Sequence, residues 1–258
     1  METPGLPPLA DIGYLAGCLI GGGSAINGML YWYPSPEDFS TGNGWPSSWG
    51  NIQPATAKVT ARLPSTIHPS TDGKFYLDQT FTVVSNFLAK DGYSNISINS
   101  NVGFKDHAMG QSEYGVMNGL RAGPVVSYLQ TAQSRSNFKL ISNTTVQAVV
   151  RNGAQVTGVR TNTGIYPLTS NGRVILSAGS FGSPRILFQS GIGPTDQIQQ
   201  VQKNARQASY LPAQNQWINL PVGYNVSDNP SINIVMSQPT VDSSVSVCLR
   251  DRSGAHSS

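Results

Sequence analysis

Within residues 77–88 the apolar side chains fall at Leu77, Phe81, Val84 and Leu88, a spacing that puts them on one face of an α-helix. Residues 124–133 predict a second helix, with Pro124 in its first turn, where a missing N–H breaks no intrahelical bond. From residue 138 the period changes. The runs FKLI (138–141), TVQAVVR (145–151), VTGVR (156–160) and VIL (174–176) are short, apolar or alternating, and read as strands. Asn152-Gly153 is a hairpin signal between the second and third runs, because both residue types tolerate the left-handed backbone of a tight turn. Residues 173–179 read as a buried strand that feeds a helix, with Ser183 as N-cap and Pro184 as first helical residue. Val174, Ile175 and Leu176 are apolar on both faces, so this strand expects cover above and below and a neighbour to pair with. Helical and strand-period blocks together predict an α/β chain of mixed α+β character. No internal repeat or low-complexity linker divides it.

Glycine is concentrated in two places, GCLIGGGSAING (17–28) and GSFGSPRILFQSGIG (179–193). Glycines remove Cβ bulk and expose successive backbone N–H groups, which suits close approach to a pyrophosphate and a flat ring system. Taken alone, the first run reads more readily as a flexible turn than as a cradle, and the second reads also as a plain strand-to-helix junction. Taken jointly and in this order, the two runs resemble the signature stretches of the glucose-methanol-choline (GMC) flavin oxidoreductases. The segments LYWYP (30–34), GWPSSW (44–49), RLPSTIHPSTDG (62–73), RAGP (121–124) and QNQWINLPVG (214–223) further resemble the flavodehydrogenase domain of fungal cellobiose dehydrogenase, over about residues 17–242.

The resemblance implies a partial FAD-binding GMC fold with part of the substrate-binding domain: residues 1–193 in the first, 194–242 opening the second, and 243–258 a tail without family likeness. It implies FAD as cofactor, with Gly21, Gly22, Gly23 and Ser24 near the pyrophosphate and Asn27 and Gly28 near the isoalloxazine. The backbone of Val146 would hold the adenine edge, and Gly179 would belong to the second signature. Each has a plainer reading, Asn27 as a helix-start cap and Val146 as an ordinary strand valine. The turn VGYNVSDNP (222–230) also matches the family pattern; its Asp228 reads as a turn cap or as an active-site acid.

By the same resemblance the reaction is oxidation of a sugar or alcohol carbon. A base takes the hydroxyl proton, hydride passes to the flavin, and electrons go on to a quinone, dye or cytochrome. The family's catalytic histidine and its histidine or asparagine partner belong to a C-terminal segment with no counterpart here, so no catalytic residue is named. His68, His107 and His256 read as surface or packing histidines. The ADP-binding G-x-G-x-x-G is likewise not found, and the expectation is a truncated form, inactive as it stands.

Only 11% of residues are charged and the net charge is +3, dispersed, with no basic cluster for nucleic acid and no apolar run of membrane-spanning length. Asn95, Asn143 and Asn225 head N-x-S/T sequons, and the family resemblance implies an extracellular protein, although no signal peptide is legible at the N-terminus. Cys18 and Cys248 make no disulfide framework, and Cys18 reads as a small packed hydrophobe. No metal-ligand spacing and no haem-binding segment appears. Two other readings stay open: a catalytically silent nucleotide- or sugar-binding protein, and a complete enzyme on another scaffold.

Overall fold

The computed structural model describes residues 17, 19–76 and 78–226. The chain divides into two compact units, with residues 17–138 in one and 139–226 in the other.

The first unit is built from short pieces. Four 3₁₀ turns, Gly22–Ala25, Pro36–Phe39, Thr41–Asn43 and Ser47–Trp49, precede helices α1 (Gln53–Arg62) and α2 (Gln79–Lys90). On α2 the side chains of Phe81, Val84 and Leu88 lie on the half-buried face, as their spacing predicts; Leu77 lies outside the described residues. Helix α1 was not signalled by periodicity, although Pro54 in its first turn and the run of alanine, lysine and arginine after it favour a helix. Strands β1 (Ser94–Asn95) and β2 (Ala108–Met109) pair in parallel. Strands β3 (Val116–Met117) and β4 (Leu120–Arg121) form a hairpin around Asn118-Gly119, both left-handed, at φ 53° and 72°. The helix expected over 124–133 begins as a π-helical turn, Val125–Leu129, and ends as α3 (Gln130–Gln133).

Backbone pairing ties these pieces together. Tyr114 bridges to both Leu30 and Thr66. Around it the Gly115 N–H donates to the Met29 carbonyl (2.7 Å), the Tyr31 N–H to the Glu113 carbonyl (2.9 Å), and Thr66 and Tyr114 exchange N–H···O bonds at 2.9 Å each. Asn99 adds a side-chain clamp. Its Oδ1 accepts from the Tyr33 N–H (2.7 Å), while its Nδ2 donates to the Tyr31 carbonyl (2.9 Å) and to Ser65 Oγ (2.8 Å).

The second unit is a three-stranded antiparallel meander, β5 (Val146–Asn152), β6 (Gln155–Thr161) and β7 (Gly164–Pro167), followed by α4 (Gly179–Gln189), α5 (Thr195–Lys203) and α6 (Ala205–Ala208). Ala148 and Val149 of β5, Ile186 of α4, and Ile198 and Val201 of α5 form its buried apolar set. Ser190 fastens sheet to helix, its Oγ accepting from the Val149 N–H (2.9 Å) and donating to the Ile186 carbonyl (2.6 Å). Arg151 closes the helix end by donating to the carbonyls of Ser190 (3.3 Å), Gly191 (3.5 Å), Gly153 (2.7 Å) and Gln216, and burial lowers its pKa.

Four expectations are corrected here. The hairpin's central residues are Gly153-Ala154, with Asn152 already paired to Gln155, so the single left-handed residue is Gly153 at φ 57°. Residues 138–141 form no strand, because nothing pairs with them among the described residues. Residues 174–176 are irregular for the same reason, and Ile175, expected to be buried, is 86% exposed. Helix α4 starts at Gly179, so Pro184 falls inside it rather than at its first position. Ser183 is therefore not the N-cap, and its Oγ accepts the Ala178 N–H (3.0 Å) from inside the helix.

Candidate cofactor site

The first glycine run folds as a tight, internally bonded loop. The Gly22 N–H donates to the Leu19 carbonyl (3.0 Å), and the N–H groups of Ile26 and Asn27 both converge on the Gly23 carbonyl (3.2 and 2.9 Å). Ser24 Oγ donates back to the Gly21 carbonyl (2.7 Å), so the serine hydroxyl braces the turn it sits in.

The glycines separate into two kinds. A Cβ on Gly17 would strike the Gly22 carbonyl, and one on Gly21, which stands at φ 99°, would lie 2.7 Å from Val125 Cγ2. These two are small because the protein's own chain fills the space. A Cβ on Gly22, Gly23 or Gly28 would meet nothing within 4 Å among the described residues. Gly22 stands at φ 53°, where a side chain is strained, but neither Gly23 nor Gly28 is demanded by backbone conformation or by local packing. Bare backbone facing open space fits a ligand that needs close approach, as the pyrophosphate and ring of FAD do.

Asn27 is exposed, and its Oδ1 accepts two hydrogen bonds, from the Met29 N–H (3.2 Å) and from Arg121 Nη1 (2.6 Å). No helix starts at Asn27, which follows the turn Gly22–Ala25, so its helix-start-cap reading does not hold. Arg121 also donates through Nη2 to the Asn27 carbonyl (2.8 Å) and through Nη1 to the Ser24 carbonyl (3.3 Å). Neither Arg121 nor Asn99 was singled out for a role in sequence. The Asn118-Gly119 turn, which places Arg121 at the end of β4, was a legible hairpin signal. Just past the loop the rings of Tyr31 and Tyr33 meet edge to face at 5.2 Å. Burial, then the neighbouring hydroxyls of Tyr33 and Tyr128, raises the Tyr31 pKa and keeps it a neutral donor.

Gly21, Gly22, Gly23, Ser24, Asn27 and Gly28 therefore sit in one loop of the first unit, and Val146 and Gly179 lie in the second unit. Val146 opens β5 opposite Thr161 and is 37% exposed. Gly179 opens α4 at φ 82°, again with open space where a Cβ would stand. The His68 ring packs on Phe75 (4.2 Å), and His107 packs on Tyr93 (4.9 Å) beside Asp106 (3.4 Å). His256, Asp228, Cys18 and Cys248 lie outside the described residues. Among the described residues no group of three or more His, Cys, Asp or Glu side chains could hold a metal ion, and no helix is long and apolar enough to cross a membrane.

Residues 11–231 match the family model described as GMC oxidoreductase. The chain is 29% identical over 195 residues to an oxygen-dependent choline dehydrogenase of Rhizobium johnstonii, covering 71% of this chain and 35% of that one. It is 28% identical over 216 residues to a glucose dehydrogenase [FAD, quinone] of Drosophila melanogaster, covering 76% of this chain and 33% of the relative. The fold is shared with a solved FAD-dependent oxidoreductase from Chaetomium thermophilum, at a TM-score of 0.60 and 17% identity, over 72% of this chain and 37% of that one. The chain thus spans about a third of the length of the curated relatives it matches.

Proposed function

The chain belongs to the GMC oxidoreductase family of FAD-dependent enzymes, and on that premise we propose that its first glycine loop cradles FAD in an oxidoreductase acting on the CH–OH group of a sugar. One observation carries the reading: Gly22, Gly23 and Gly28 present bare backbone to open space in a loop whose other glycines are dictated by the protein's own packing. Gly21 through Ser24 face the pyrophosphate and Asn27 with Gly28 the isoalloxazine, and the family resemblance adds Val146 and Gly179 as further cofactor-binding residues. FAD, when bound, supplies the hydride acceptor. The protein's own share is to bind and orient it and to exclude water around it.

The sugar is cellobiose or a close β-linked relative. The segments at 44–49 and 214–223 support this branch through their likeness to cellobiose dehydrogenase. Electrons leave to a quinone, dye or cytochrome. The protein works outside the cell, and the exposure of Asn95, Asn143 and Asn225 suits all three for glycans.

The test is flavin binding by the full chain, followed as quenching of FAD fluorescence. Saturable quenching is expected, and Gly22→Val should abolish it, because a β-branched residue at positive φ both strains the loop and fills the cradle. Flavin binding indifferent to that change would remove the loop from the cofactor site. Substrate class is read separately by grafting residues 17–226 into a complete cellobiose dehydrogenase flavodomain and comparing cellobiose with choline, using a dye acceptor. A flavin-loaded graft that oxidises choline but not cellobiose would overturn the sugar assignment and leave the cofactor site intact.

A further inference from the structure

We propose that Arg121 is a positioning residue for the flavin: held at the end of the β3–β4 hairpin, it locks the Asn27 amide so that the amide presents its NH2 group, a donor, to an acceptor edge of the isoalloxazine. The proposal rests on the reading that Asn27 meets the flavin.

The argument is one of donor and acceptor supply. An amide side chain has one acceptor oxygen with two lone pairs and one nitrogen with two hydrogens. At Asn27 the two groups that point at one end of the amide are the Met29 N–H and Arg121 Nη1, at 3.2 and 2.6 Å. Both are donors and nothing else, so that end must be the oxygen. A flipped amide would set its NH2 against a guanidinium and a backbone N–H, with no acceptor among the three. The oxygen is then fully used, and the NH2 group makes no hydrogen bond among the described residues on an exposed side chain. A ligand meeting Asn27 is offered donors, which suits the carbonyl oxygens and unprotonated ring nitrogens of a flavin and disfavours its ring N–H.

Arginine is suited to this task. Its fork spans two acceptors at once, here Asn27 Oδ1 and the Asn27 carbonyl, and the same Nη1 also reaches the Ser24 carbonyl. Side chain and backbone of Asn27 are therefore fixed by one guanidinium. The guanidinium arrives from 94 residues away in sequence, carried by a hairpin whose approach is set by the pairing of Gly115 with Met29 and of Ala122 with Gly115. The hairpin and the loop close on each other, so the amide has little freedom to rotate.

The experiment uses the full chain with FAD as probe and four variants, Arg121→Met, Arg121→Lys, Asn27→Asp and the double Arg121→Met/Asn27→Asp. Asn27→Asp keeps an oxygen for Arg121 and replaces the outward donor with an acceptor. Arg121→Met is expected to weaken FAD binding about tenfold, the scale of a lost charge-assisted hydrogen bond, and Arg121→Lys to restore part of it. Asn27→Asp should weaken binding at least as much with no loss of thermal stability, and adding Arg121→Met should then cost no further FAD affinity. Equal losses from Arg121→Met in both backgrounds would overturn the proposal, since the arginine would then act on the loop and not through Asn27. A second readout needs no flavin: the Asn27 side-chain NH2 resonance, assigned by its disappearance in Asn27→Asp, should be sharp and shifted in the wild type and averaged in Arg121→Met. An NH2 signal unchanged by Arg121→Met would overturn the proposal directly. Should no variant, nor the wild type, bind FAD, the cofactor reading fails and the resonance alone decides whether Arg121 holds the amide.

Discussion

Among the described residues, the unit spanning 139–226 buries Ala148, Val149, Ile186, Ile198 and Val201, whereas the unit spanning 17–138 buries one apolar side chain, Val116. The second unit is assembled as most small domains are, from amphipathic elements whose apolar faces meet: the seven-residue strands β5 and β6 and the helices α4 and α5. The first has two-residue strands, isolated bridges and 3₁₀ turns, and it fixes their positions with polar groups such as Asn99, Arg121 and Ser24. A surface that must accept a large planar ligand and a pyrophosphate needs backbone groups held in irregular positions, and a hydrophobic core does not supply that. The glycine loop sits where side-chain hydrogen bonds, and not apolar burial, set the geometry.

The largest effect that tests this contrast is Ile198→Ala. Ile198 is fully buried (0% exposed) on α5, and truncating it leaves a cavity in the tightest part of the second unit, at a cost of about 2–5 kcal/mol. Residue-by-residue amide exchange should show protection lost across β5, β6 and α4. The matching change in the first unit, Val59→Ala on α1, removes a side chain that is already 41% exposed and should cost about 0.5 kcal/mol or less. Comparable losses at the two sites would mean that the units do not differ in the way described.

The same contrast explains how much could be read in the sequence. Period carried the second unit's hairpin and the half-buried face of α2, because in those elements side-chain spacing follows which side faces the protein. It failed at residues 174–176, where three apolar residues in a row signal a buried strand but pairing decides whether one exists. It also failed at α5, whose Ile198 and Val201 are two apolar positions in an otherwise polar run. In the glycine loop the sequence displayed which residues lack side chains but not why. Gly21 and Gly22 look alike as letters, and only Val125 packed against one and open space beside the other separate them. Arg121 was legible as part of a family-like string, yet its contact with Asn27 spans 94 positions, and no local pattern encodes a contact of that range.

A middle-sized effect belongs to the polar side of the comparison. Asn99→Leu keeps the branched outline of the side chain but removes the group that satisfies the Tyr33 N–H, the Tyr31 carbonyl and Ser65 Oγ. Leaving part-buried backbone groups without partners costs about 1–3 kcal/mol. The loss should be local, with faster amide exchange at Tyr31 and Tyr33 and unchanged exchange at Val149 and Ile198. If the change unfolded the second unit as well, stability would not be divided between cores and clamps as proposed.

The smallest effect lies in the turn after the bridge at Thr66, where one exposed hydrogen bond links two titrating groups. Asp72 accepts from the Tyr76 hydroxyl (2.7 Å) and from the Lys74 N–H (3.1 Å), and these bonds, the tyrosine's first, lower its pKa. The same hydroxyl bond, then the carboxylate's charge, raises the pKa of Tyr76. The signs give a window. A depressed carboxylate contributes stability that is complete above its unfolded value, about 4, and is lost as pH falls through the lower folded value. A raised tyrosine contributes stability that is complete below its unfolded value, about 10, and is lost as pH rises through the higher folded one. Between those limits the bond holds, and because both groups are exposed it steadies the turn without measurably changing the melt. Titrating the Asp72 carboxyl carbon by NMR should show its pKa rising toward the ordinary aspartate value in Tyr76→Phe, with the Lys74 ammonium, 3.7 Å away and exposed, contributing little. A carboxyl pKa unmoved by Tyr76→Phe would assign the shift to the Lys74 N–H and Ser70 bonds to the same carboxylate, and would show that the Tyr76 hydroxyl takes no part in holding this turn.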